Sequence, residues 1–216
     1  MTKRAPRFPT ITVSLGVLAL ALWLIPGANA VLQLERTAIA AGEFWRLITG
    51  HLTHWTASHL GWDLAAFALL GTLIERRSRR LLVATLATSA LAISAAVWFF
   101  EPDLATYRGL SGVDSALFAT WAMLVVRQAI HAHRRRTALW IGIASVGFAA
   151  KTVVESLADA TVFVAAHPLF VPVPLAHVAG AVAGLLAALA YSSIANAAHV
   201  VAAWPCGSPT GRLRSM

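Results

Sequence analysis

Six times along this chain a run of about twenty apolar residues recurs, and short basic blocks separate the runs. Such a run is long enough, as a helix, to cross the roughly 30 Å hydrocarbon core of a bilayer. The spans fall near 10–32, 55–74, 81–100, 111–130, 138–158 and 174–196. Only 12% of the residues are charged and 58% are hydrophobic, whereas a soluble domain carries about 25% charge. The pattern predicts one all-α membrane protein, a bundle of six transmembrane helices with no soluble domain attached.

The basic residues set the orientation. Lys3, Arg4 and Arg7 precede the first span, Arg76, Arg77, Arg79 and Arg80 follow the second, Arg134, Arg135 and Arg136 follow the fourth, and Arg212 and Arg214 lie in the tail. The alternate linkers hold only Arg36, Arg46 and Arg108, together with Glu35, Glu43, Glu101, Asp103 and Asp159. The positive-inside rule then places both termini in the cytoplasm. Residues 1–9 form a cytoplasmic segment, 10–198 the membrane domain and 199–216 a cytoplasmic tail. A net charge of +8 distributed in this way marks orientation and argues against nucleic-acid binding. A second reading of the start is a secretory signal ending at Ala28-Asn29-Ala30, whose removal leaves the remaining topology intact. The lone Cys206 excludes an intramolecular disulfide.

Ionisable groups inside a bilayer are costly, which makes them functional candidates. Here they are His54, His59, Asp63, Asp114, Lys151, Glu155 and His177. His59 and Asp63 are four apart and share a helix face. His51, His54 and His59 are potential metal ligands, but their spacing matches no specific metal motif, and no metal or other cofactor is expected. Ser111 opens the fourth span between Gly109 and Gly112, where a helix N-terminus offers free N–H groups to a developing oxyanion. His177 precedes Gly180 and Gly184, a small-residue strip along which another helix packs closely. Serine and histidine both fall at the outer ends of their spans, and a serine needs a base such as neutral histidine to lose its proton.

Taken together, these residues resemble the rhomboid family of intramembrane serine proteases. Trp45-Arg46 stands in the first external loop, His54, His59 and Asp63 follow the His-x4-His-x3-Asn spacing, and Gly109-Leu110-Ser111-Gly112 matches Gly-x-Ser-Gly. Residues 176–184, AHVAGAVAG, match the last-helix motif. Within the family the stretches GEFWRLITGHLTHW and YRGLSG, with the Lys151/Glu155 pair, look most like the rhombosortase subfamily. The resemblance implies a six-helix rhomboid-like bundle with Ser111 as nucleophile, His177 as general base, and the Ser111 N–H and His59 holding the oxyanion. Asp63 stands where typical members carry Asn, and is either protonated by burial or orients His59. Trp45 and Arg46 are expected to anchor the external loop at the interface, and Lys151 and Glu155 to pair and brace the site wall.

The implied substrates are membrane-anchored bacterial proteins with a glycine-glycine motif, an apolar helix and a basic end. Cleavage occurs in or beside the bilayer of the bacterial inner membrane, with the site opening to the external side. The rival functions are an inactive rhomboid-like protein that binds transmembrane helices, and a metal-dependent membrane hydrolase or transporter using the three histidines.

Overall fold

Local chemistry divides the chain into its helices. The computed structural model describes residues 8–158 and 172–202. Lys3, Arg4, Arg7, Asp159, Cys206, Arg212 and Arg214 lie outside the described residues. The first helix, α1 (Thr10–Leu24), stops where Ile25 turns extended before Pro26, and Gly27 takes a left-handed φ of 80°. A short helix, α2 (Ala28–Leu32), follows. The span expected at 10–32 is therefore broken in two. At 1.5 Å per residue α1 is about 22 Å long, short of the bilayer core. Among the described residues five helices are long and apolar enough to cross a membrane. They are α5 (Ala57–Arg77), α6 (Arg79–Phe100), α7 (Ser111–His131), α8 (Arg135–Ala158) and α9 (Pro174–Ala202).

The connections at one end of the bundle are folded. Between α2 and α5 run β1 (Leu34–Glu35), α3 (Arg36–Ala40), α4 (Arg46–Thr49) and a 3-10 turn over Gly50–Leu52. β1 pairs antiparallel with β2 (Thr106–Tyr107), Leu34 opposite Tyr107 and Glu35 opposite Thr106. This ribbon of two residues per strand is a small exception in a mostly helical chain: two loops at one end of the bundle satisfy their backbone groups on each other. Arg36 lies beside it. Its guanidinium donates to the carbonyls of Val97, Trp98, Glu101 and Leu104 at 2.7–3.0 Å and stacks on Trp98. It thereby fills the open C-terminal end of α6.

At the opposite end, the basic stretch 75–80 is almost wholly helical. Ser78 alone separates α5 from α6, and its side chain accepts from Leu81 N–H as the N-cap of α6. Glu75 is 3% exposed and belongs to the interior. Its carboxylate accepts the N–H groups of Ile11 and Thr12 (3.1 and 2.9 Å) and the Thr12 hydroxyl, and faces Arg79. A fully bonded carboxylate thus caps the N-terminus of α1. Arg77 reaches Gln128 of α7, so the basic residues flanking Ser78 and those following α7 lie at one end of the bundle.

α7 is the central helix, with half of its apolar window buried against 11% for α8. It packs closest on α9. A Cβ on Gly180 would overlap the Gly112 carbonyl, and one on Gly184 would overlap the Ala116 carbonyl. The missing side chains let the two backbones touch. Thr120 donates to the Gly184 carbonyl (2.9 Å) and fastens the contact from the other side.

Candidate active site

The α7–α9 contact brings Ser111 and His177 together. Ser111 is the first residue of α7, and His177 sits in the first turn of α9, one turn before Gly180. The Ser111 Oγ lies 3.1 Å from His177 Nε2. If the hydroxyl donates, Nε2 is the acceptor and the ring proton resides on Nδ1. The first N–H groups of α7 have no intrahelical carbonyl to bond, and they surround Ser111. Beside the pair lies a cavity of about 260 Å³, walled by Trp62 of α5, Asp114, Ser115 and Phe118 of α7, and Phe148 and Lys151 of α8.

His54, His59 and Asp63 converge. Asp63 Oδ2 is 3.3 Å from His54 Nε2 and 3.2 Å from His59 Nε2, and accepts the Leu110 N–H at 2.9 Å. All three side chains are buried. One carboxylate oxygen therefore lies against both imidazoles and is hydrogen-bonded to the loop that delivers Ser111. The His54 and His59 rings meet edge to face, 5.1 Å apart. Gly109 has φ +127°, and a Cβ there would lie 2.7 Å from His59 Nε2. Only glycine suits this position, on backbone grounds and on space. At Gly112 a Cβ would press on Ile93 and on the Ala176 carbonyl.

His51 does not join this cluster. Its Nε2 faces the Ala90 carbonyl and Ser94 Oγ, both at 3.1 Å. Ser94 in turn donates to the Leu47 carbonyl, so the ring ties the segment before α5 to α6. Burial pushes its pKa down to about 4, against the pull of the Ala90, Gly109 and Leu47 carbonyls. Among the described residues no group of three His, Cys, Asp or Glu side chains is arranged to hold a metal ion.

Trp45 is exposed, whereas Arg46 is only 7% exposed and turns inward. Arg46 pairs with Glu43 at 2.7 Å and donates to the carbonyls of Ala30 and Gln33. It holds the loop to the end of α2 rather than to an interface. Lys151 and Glu155 pair across one turn of α8, and Glu155 Oε2 lies 3.9 Å from His177 Nδ1. Asp114 is buried, and neither of its oxygens has a hydrogen-bond partner among the described residues. Among the described residues no ion pair joins Asp114 to Lys151, which pairs with Glu155 instead.

Three contributors escaped the sequence reading. Asn29 of α2 accepts the His54 N–H at 2.9 Å. Arg108 donates to Gln33 and to the His54 carbonyl, and stacks on Trp55 at 4.0 Å. Tyr107 reaches the Gly109 carbonyl. Asn29 lies 25 residues from His54 and Arg108 lies 75 from Gln33, and all three sit in or beside elements too short to show a periodicity, so no local signal marks them.

A bundle of long apolar helices with a serine and a histidine in hydrogen-bond reach at one end defines a multi-pass membrane protein with the makings of a serine hydrolase. Residues 41–203 match the family model of the Rhomboid domain. The chain belongs to the rhomboid family, whose members are intramembrane serine proteases acting on membrane-embedded substrates. No individual curated protein matches it. The matched region begins after α3 and takes in His54, His59, Asp63, Ser111 and His177.

Proposed function

We propose that this protein is an intramembrane serine endopeptidase in which Ser111 is the nucleophile and His177 the general base. The observation that carries the reading is the 3.1 Å approach of Ser111 Oγ to His177 Nε2 beside a cavity large enough for a side chain. Ser111 Oγ attacks the scissile carbonyl and His177 Nε2 takes its proton. The oxyanion forms against the free N–H groups at the start of α7 and the His59 ring. The imidazolium then returns the proton to the leaving amine, leaving an acyl-enzyme. Water attacks that ester with His177 again as base, releasing the acid and regenerating Ser111. Asp63 orients His59 and the Gly109-Leu110 loop, a role supported by its three contacts through one oxygen.

The protein adopts the six-helix arrangement with α1 as a short first crossing and both termini cytoplasmic. This orientation rests on the basic residues gathered at the end of the bundle opposite Ser111. The site then opens to the external side of a bacterial inner membrane. The substrates are membrane-anchored proteins with a glycine-glycine motif before an apolar helix and a basic tail, as in the rhombosortase subfamily. Glycines weaken a substrate helix and free its backbone for attack.

The test combines fluorophosphonate labelling of the purified protein with co-expression of a glycine-glycine-tailed substrate. Labelling and tail cleavage are expected in the wild type and lost in Ser111→Ala and His177→Ala. Cleavage that persists in Ser111→Ala overturns the assignment. A folded wild type that neither labels nor cleaves points to the helix-binding reading instead.

A further inference from the structure

His177 has two ring nitrogens, and the mechanism above uses one. With Nε2 accepting from Ser111, the proton sits on Nδ1. That atom is fully enclosed and has no hydrogen-bond partner among the described residues. A buried N–H normally finds an acceptor, and the proton it carries must stay in place while Nε2 gains a second. Among the described residues the carboxylate found against His177 is Glu155, its Oε2 3.9 Å from Nδ1. Glu155 is 4% exposed, too deep in an apolar wall to be a solvated surface charge. Lys151, one turn away on the same helix, pairs with the same Oε2 and holds the buried carboxylate in place.

We infer that Glu155 is a positioning residue for the protease proposed above, receiving the Nδ1–H of His177 and holding Nε2 toward Ser111. The inference rests on that reading of Ser111 and His177. The remaining gap is about 1 Å beyond a hydrogen bond, and α8 is the element able to close it. Its apolar window is 11% buried, the lowest of the five long helices. Catalytic hydrogen bonds that are long in a resting enzyme commonly tighten once substrate fills the site. As Ser111 loses its proton, the imidazolium that forms lies between the new oxyanion and the Glu155 carboxylate. The wall brace expected from the sequence is then also the third member of a serine–histidine–carboxylate row, its carboxylate supplied by a different helix from either partner.

The experiment compares wild type, Ser111→Ala, Glu155→Gln and the double variant Lys151→Met/Glu155→Gln in detergent, reading kcat, KM, labelling rate and thermal midpoint. Glu155→Gln keeps the shape and removes the charge. The double variant also removes the stranded ammonium, so it restores whatever folding stability the single change loses. The inference expects kcat and labelling rate to fall roughly 10- to 100-fold in both variants, with KM within about threefold, even where the double variant melts like the wild type. A merely structural pair predicts the opposite: activity returns together with the melting point. Wild-type rates in the folded double variant overturn the Glu155 assignment and leave the Ser111–His177 reading standing. Labelling that survives in Ser111→Ala overturns that underlying reading instead.

Discussion

A buried histidine can be mistaken for a ligand, and His51 shows how its neighbours decide its role. It lies three residues from His54 in sequence, yet its ring faces α6 and its Nε2 is shared by a carbonyl and a hydroxyl. Enclosed in this way, it resists protonation down to about pH 4, whereas an exposed histidine titrates near 6.5. Between those values the unfolded chain binds a proton that the folded chain refuses, so acid favours unfolding. The stability contributed by the neutral ring is complete above pH 6.5 and is lost as pH falls toward 4, at about 1.4 kcal/mol per unit. Thermal denaturation of wild type and His51→Asn across this range is expected to show the steeper acid loss in the wild type. Parallel curves would mean that the ring is not held neutral by burial. Asp63 makes the companion point. The residue type alone left open a protonated acid or an orienting carboxylate, and its contacts with two imidazoles and a backbone N–H favour the second.

Two element-level devices place the site. The first is the α7–α9 seam, where glycines 180 and 184 admit carbonyls of the facing helix. Gly180→Ala pushes α9 away from Gly112, the residue next to Ser111, while His177 is one turn along the same helix. Stability is expected to fall by about 1–3 kcal/mol from overpacking. Serine labelling should fall further, on the order of a hundredfold, because a displacement near 1 Å is enough to misalign a reacting pair. An activity loss no larger than the stability loss explains would show that the seam does not set the serine–histidine geometry. The second device is Arg36 at the C-terminus of α6, where one planar group serves four carbonyls. Arg36→Lys supplies a single ammonium on a flexible stem and cannot span them. The melting point of Arg36→Lys should therefore lie close to that of Arg36→Ala, each about 1–3 kcal/mol below wild type. Full stability in the lysine variant would refute the capping role.

For the whole molecule, the antiparallel run of the helices gathers charge at one end and chemistry at the other. In a Cys206→Ser background, Asp103→Cys on the site end is expected to react with a membrane-impermeant maleimide in intact cells. Arg134→Cys at the basic end should react only after permeabilisation. Equal labelling of both would overturn the orientation. The five long spans were legible in the sequence because the bilayer demands apolar length, and Ser111, His177, His59 and Asp63 were legible because polar groups are conspicuous there. α1 was misjudged because a run through Pro26 and Gly27 stays apolar while its backbone turns. Glu75 falls just past the apolar run expected at 55–74, and nothing in the local stretch Glu75-Arg76-Arg77 reports a helix end more than sixty residues upstream. Hydropathy and residue type thus determined by themselves that this chain is a membrane bundle with a serine and a histidine at the ends of two spans, since solvent preference acts on each residue independently. Which nitrogen meets which oxygen, that His51 turns away from His54, and that Glu155 comes to lie behind His177 were decided only by tertiary packing, because hydrogen bonds depend on ångström distances between helices that no linear spacing encodes.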